Sequence, residues 1–136
     1  MTLTITLPIL PPRELSSNAR AYRYAKSEAQ RELKTHVIAA LSQQSVWPYA
    51  AEIDETMYVG YPAFPWAKVK VKLTFYVPDA RRRDKDNYIA SMKAGLDALQ
   101  GRVIKDDRDI VGIEAEFIKD KANPRTVMEI EEVKHD

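Results

Sequence analysis

The residues best suited to chemistry lie in one run, Asp79-Ala80-Arg81-Arg82-Arg83-Asp84-Lys85-Asp86-Asn87, and in a later pair, Asp106-Asp107. Asp84 and Asp86 stand two apart, where an extended stretch gives way to a helical pattern. Carboxylate oxygens suit a hard divalent cation, which takes one or two of them and fills its other positions with water and phosphate. The three neighbouring guanidinium groups suit a phosphodiester, because arginine grips phosphate oxygens through charge-assisted, often bidentate bonds. A cation held this way can activate water, neutralise the phosphate and stabilise the leaving oxygen. Asp84 and Asp86 are expected to share the ion, with Asp107 and Asp106 closing the site from the loop beyond the helix. Lys93 would orient the water or offset charge on the phosphorus.

The same residues have an ordinary reading. Asp84, Asp86 and Asn87 are good helix N-caps, and carboxylates are favourable in a first helical turn. Asp106-Asp107-Arg108-Asp109 reads equally as a solvated loop, and Arg81 to Arg83 as partners of the nearby acids.

The elements around these residues follow from periodicity. Leu3, Ile5 and Leu7 alternate with threonines, so residues 2–7 read as a strand that Pro8, Pro11 and Pro12 end. A loop through Ser17 and Asn18 follows, where Arg13, Arg20, Arg23 and Lys26 could reach a phosphate backbone or simply be solvated. Ser27 is the expected N-cap of a helix over Glu28–Ser42, with Leu33, Val37, Ala40 and Leu41 as its core stripe. Residues 43–66 mix Trp47, Tyr49, Tyr58, Tyr61, Phe64 and Trp66 with prolines, and read as an irregular cover over the core.

Val69, Val71, Leu73, Phe75 and Val77 alternate with lysines, Thr74 and Tyr76, which predicts a strand with one buried face, ended by Pro78. A continuous helix should run from Asp86 or Asn87 to Gln100, stopped by Gly101, with Ile89, Met92, Leu96 and Leu99 inward. It would place Lys93 two turns above Asp86 on one face. Two strands close the chain, around Val111–Phe117 and Thr126–Ile130. The short turn between them predicts an antiparallel pair. The fold class is α/β (α+β): a single domain over residues 1–136, a mixed sheet with two main helices, in the order β-α-β-α-β-β.

Composition sets outer bounds. The chain has 136 residues, 45% hydrophobic and 30% charged, so one domain with a real core is expected. No cysteine is present, which excludes disulfides, thiol nucleophiles and thiolate metal sites. His36 has no histidine near it, and His135 lies in a polar tail. No leader pattern or membrane-length apolar run is visible, so a cytoplasmic location without membrane contact is the default expectation. The net charge of +1 says little about DNA. The cations around Arg81–Lys85 and Lys93–Arg108, against Glu114, Glu116, Glu129, Glu131 and Glu132, suggest one basic and one acidic face.

The arginine-rich D-x-D-N at Asp84–Asn87, the helix ending Leu96-Asp97-Ala98-Leu99, and the following Asp106-Asp107 together resemble the signature of the RusA-type Holliday-junction resolvases. Leu7-Pro8 through Pro12 resembles that family as well. The resemblance implies a small α/β homodimer that binds four-way DNA junctions and nicks two opposed strands in recombination and repair, using magnesium, with manganese as its substitute. It implies Asp84, Asp86 and Asp107 as catalytic metal ligands supported by Asp106. Arg81, Arg82, Arg83, Lys85, Asn87 and Arg20 would be the DNA contacts. The family's helix lysine has no counterpart one turn after Asp86, where Ala90 stands. Lys93 is the nearest substitute. Two other readings stay open: a branched-DNA-binding or scaffold protein that keeps the fold without turnover, and a structural metal-binding domain.

Overall fold

β2 (Val69–Val77) is the strand around which the fold is assembled. Val69, Val71, Leu73, Phe75 and Val77 are all buried. A strand so fully covered belongs at the centre of a sheet, and the computed structural model, which describes residues 1–16, 19–20, 22–49 and 64–134, places it there. β1 (Thr2–Leu7), β2, β3 (Ile110–Lys119) and β4 (Arg125–Glu132) form a mixed α+β sheet in the order β1-β4-β2-β3. β4 is antiparallel to both β1 and β2, whereas β3 is parallel to β2.

The expected pairing of β3 with β4 is therefore wrong: β2 lies between them. The connector, residues 120–124, is long enough for this. It reaches roughly 16 Å when extended, and skipping one strand needs only about 10 Å. β3 becomes an edge strand, and its Val111 and Ile113 remain 46% and 37% exposed.

The helices cover one face of the sheet. α1 (Arg23–Gln43) buries the expected Leu33, Val37, Ala40 and Leu41. It starts ahead of Ser27, with Lys26 N already donating to Tyr22 O at 3.1 Å. No side chain caps this start, and α1 packs against the short 3-10 turn Arg13–Leu15.

The second helix is not continuous. It divides into α2 (Lys85–Ser91) and α3 (Lys93–Asp97) at Met92, whose backbone sits at φ −87, ψ 1. Each half has its own partner: α2 packs near β3 and the Arg13–Leu15 turn, α3 against α1. Gly95 permits that last approach, since a Cβ there would lie 3.3 Å from Val37 Cγ2. Gly101, past the end of α3, takes φ 84, a left-handed turn that glycine adopts without strain. Tyr49 N donates to its carbonyl at 3.0 Å, and Trp66 N donates to Val103 O at 2.7 Å. The described ends of the aromatic-proline segment thus do cover the core, while Tyr58 and Tyr61 within it, Ser17 and Asn18 in the first loop, and His135 lie outside the described residues.

The open face of the sheet does not separate into acidic and basic halves. Lys70 stands opposite Glu131, and Lys72 between Glu129 and Glu114, because the lysine strand is flanked on both sides by glutamate strands. Lys72 Nζ lies 3.4 Å from Glu116 Oε1. Opposite charges across strands stabilise such a face by roughly 0.2–1 kcal/mol a pair.

Candidate active site

The loop between β2 and α2 is fixed by one arginine. Arg83 donates through Nη1 to the carbonyls of Asp79 (3.0 Å) and Arg81 (3.1 Å), and through Nε to the Tyr88 hydroxyl at 3.2 Å. Its Nη2 is 2.9 Å from Asp79 Oδ1, and its side chain is only 6% exposed. Tyr88 is held edge-on between Phe75 and Phe117, with centroids 5.1 and 5.0 Å away. The Asp79 carboxyl sits below its ordinary value, first through the Arg81 backbone N–H and then through Arg83. Of the three arginines, Arg83 is thus built into the loop, and Arg81 and Arg82 face solvent.

Asp84 caps α2. Its Oδ1 accepts from the backbone N–H of Asp86 (3.0 Å) and of Asn87 (3.3 Å). Asp86 and Lys85 are exposed in the first turn. The Asn87 side chain donates to Ser16 Oγ at 2.8 Å, tying α2 to the loop after β1. Ala90 and Lys93 are exposed, and the interruption at Met92 means that Lys93 does not continue a single helix from Asp86. Arg20 is exposed in the loop before α1.

The second acidic pair caps a 3-10 turn, Asp107–Asp109, just before β3. Asp106 Oδ1 accepts from Arg108 N at 2.9 Å and Arg108 Nε at 3.3 Å, while Asp109 Oδ2 accepts from Asp106 N at 3.2 Å. The Asp106 carboxyl is held low, chiefly by the Arg108 N–H and then by its hydrogen bond with Asp107. Asp107 is pushed above its ordinary value by that hydrogen bond and by the Asp106 charge, with Asp97 adding to the repulsion. Asp97 stands out in the sequence only within the run Leu96-Asp97-Ala98-Leu99, and its approach to Asp107 depends on how α3 ends.

The two acidic groups do not meet within one chain. β2 and β3 run parallel, with Val69 opposite Ile110 and Val77 opposite Lys119. Asp84 and Asp86 follow the far end of β2, beside Tyr88 and Phe117, whereas Asp107 precedes Ile110 at the near end. The strand between Ile110 and Phe117 spans roughly 23 Å. Among the described residues, no three His, Asp or Glu side chains come close enough to hold a metal. The single cluster expected from the sequence is thus not assembled among the described residues of one chain, where Asp84 and Asp106 each cap a helical turn.

A comparison with curated proteins finds no match to this sequence. The family model described as "Endodeoxyribonuclease RusA" matches residues 8–131. That span takes in both acidic groups, the Arg81–Arg83 loop and α1, α2 and α3, and the chain belongs to the RusA endodeoxyribonuclease family, hydrolases that cut phosphodiester bonds in DNA.

Proposed function

We propose that this protein resolves Holliday junctions by paired nicks, as a homodimer that requires magnesium or, in its place, manganese, and that it serves DNA recombination and repair. The family supports the junction-resolving activity. The observation that carries the dimer is the placement of Asp84 and Asp86 at one end of the parallel β2–β3 pair and of Asp107 at the other. One chain holds two halves of a site. A second copy, related by a two-fold axis, can supply each missing half, and two such sites match the two equivalent scissile phosphates of a junction. β3 has the free edge for this. Antiparallel pairing of two β3 strands sets the start of one beside the end of the other, and with it Asp107 of one chain near Asp84 and Asp86 of its partner.

The donor chemistry fits a hard cation. The carboxylates of Asp84, Asp86, Asp106 and Asp107 are hard oxygen donors, and the Asp106 charge that holds Asp107 above its ordinary value is a repulsion that a bound cation would relieve. Asp84, Asp86 and Asp107 would hold the ion, with Asp106 orienting Asp107. When bound, the ion polarises the phosphate and lowers the pKa of the attacking water. The chain's own groups do the rest. Arg81, Arg82 and Lys85 hold the phosphates on either side, Asn87 anchors the α2 end of the site, and Lys93 offsets charge at the phosphorus. Arg83 acts on binding through the shape of its loop.

Light scattering combined with junction cleavage tests this reading. A dimer of twice the 15.6 kDa chain, cutting four-way junctions only with a divalent cation, is expected. A monomer with full junction cleavage would overturn it.

A further inference from the structure

A second surface follows the loop that leaves the sheet at the same end as Asp84 and Asp86. β1 and β2 are both antiparallel to β4, with Leu7, Thr126 and Phe75 in one register. The chain therefore leaves β1 and β2 at the same end. The Asn87–Ser16 hydrogen bond ties the two departing loops together. Tyr22 follows Ser16 within no more than about 22 Å of extended chain.

Here Arg20, Tyr22, Arg23, Tyr24 and Lys26 alternate cations with aromatic rings. Tyr22 and Tyr24 are 88% and 76% exposed, more than any other aromatic side chain among the described residues. Within those residues neither ring stacks on another, and Arg20, Arg23 and Lys26 form no ion pair. These cations stand at the positive end of α1, whose first turn has no acidic residue to offset them. Aromatic faces set among unpaired cations are how proteins hold unstacked bases and the phosphates beside them, in a largely sequence-tolerant way.

We propose that Tyr22 and Tyr24 stack on bases unpaired at the branch point of DNA, while Arg20, Arg23 and Lys26 hold the adjoining phosphates. The inference rests on the junction-resolving reading and deepens it by naming the surface that tells a branch from a plain duplex. Cleavage at Asp84 and Asp86 then takes place on strands that this surface has already fixed.

The test measures binding in metal-free buffer by fluorescence anisotropy, with 2-aminopurine at the branch point as a stacking probe. The DNAs are a four-way junction, a linear duplex of equal length and a single-stranded oligothymidine. Tyr22→Ala/Tyr24→Ala should weaken junction binding by about 10- to 100-fold, as expected for losing one or two stacked bases, and change duplex binding by less than about threefold. Tyr22→Phe/Tyr24→Phe should restore both the affinity and the probe signal, since the ring rather than the hydroxyl stacks. Arg23→Ala/Lys26→Ala should instead lower the log–log salt slope by about 1.8, at roughly 0.9 for each phosphate contact. Both tyrosines are exposed, so retained thermal melting is expected for these variants. A double-alanine variant within about threefold of the parent on junctions, or one equally weakened on junction and duplex, overturns the proposal. A parent without any preference for junctions overturns the junction reading instead. In that event tyrosine-dependent binding to the oligothymidine keeps the stacking surface, and tyrosine-independent binding removes it.

Discussion

At one end of the sheet, Asp84 commits a carboxylate oxygen to the backbone N–H groups of Asp86 and Asn87; at the other, Asp107 leans on a second carboxylate, Asp106. The first arrangement satisfies a negative charge with a helix start. The second crowds two negative charges and raises one of their pKa values. The Asp84 end is also braced by Arg83, Tyr88 and two phenylalanines, whereas the Asp107 end is followed by an exposed edge strand. One half of the proposed site is complete as a piece of structure. In the proposed dimer, the other would be completed by a cation and a second chain. Folding and catalysis therefore ask different things of similar acidic pairs, and substitutions at the two ends should separate these demands.

The largest effects belong to the acids whose loss leaves the fold intact. Asp86→Asn and Asp107→Asn should each fold, bind junctions in metal-free buffer at least as tightly as the parent, and cut with magnesium roughly 10²- to 10³-fold more slowly. If both variants cut within a few-fold of the parent, Asp86 is an ordinary first-turn residue and Asp107 an ordinary turn residue. Next comes Lys93→Ala, with a loss of about 10²-fold in single-turnover cleavage if the ammonium offsets transition-state charge. A change below about threefold assigns it to a solvated face.

The arginines sharpen the comparison within one loop. Arg81→Ala and Arg82→Ala should each lower the log–log salt slope of DNA binding by about 0.9 and leave stability nearly unchanged. Arg83→Ala removes a donor shared among two carbonyls, a carboxylate and a hydroxyl, so it should cost about 1–3 kcal/mol of stability in urea melts. An Arg83→Ala variant as stable as the parent, with a reduced salt slope, would return it to the DNA-binding set.

The smallest effects are pH-dependent and opposite in sign. Asp120 is held below its ordinary value, first by its hydrogen bond from Arg125. Its contribution to stability is present above the ordinary aspartate value and is lost as pH falls through the lowered one. Asp107 is raised, so its contribution is present below the ordinary value and is lost as pH rises through the raised one. In metal-free urea melts, Asp120→Asn should flatten the acid limb of the stability profile. Asp107→Asn should leave the neutral limb level with the parent or slightly above it. The reverse pattern would contradict the assigned causes.

Much of this arrangement was legible in the residues. The alternation in β2, the α1 stripe and the capping capacity of Asp84 are local properties, and local patterns survive folding, whereas the 3-10 turn that Asp106 caps reads in the sequence as a plain loop. The strand order was not legible, because the connector at 120–124 serves a hairpin or a skip over β2 equally well. The break at Met92 was hidden within an unbroken apolar stripe, since Met92, Leu96 and Leu99 are buried whether or not the helix continues. Arg83 could not be told from Arg81 and Arg82, because all three carry the same charge and only the position of Tyr88 separates them. The separation of Asp84 from Asp107 followed from the parallel pairing of β2 with β3, which no short motif contains.

The most direct test of the shared site mixes two inactive chains. Asp86→Asn and Asp107→Asn chains are co-expressed with different tags, and the mixed dimer is isolated and assayed on a junction with magnesium. If each site takes Asp86 from one chain and Asp107 from the other, one site of the mixed dimer carries both substitutions and the other carries neither. Single-strand nicking by the mixed dimer at about half the parent's rate per dimer is expected, from two variants that are nearly inert alone. A mixed dimer as inert as either parent variant would show that each site is built within one chain.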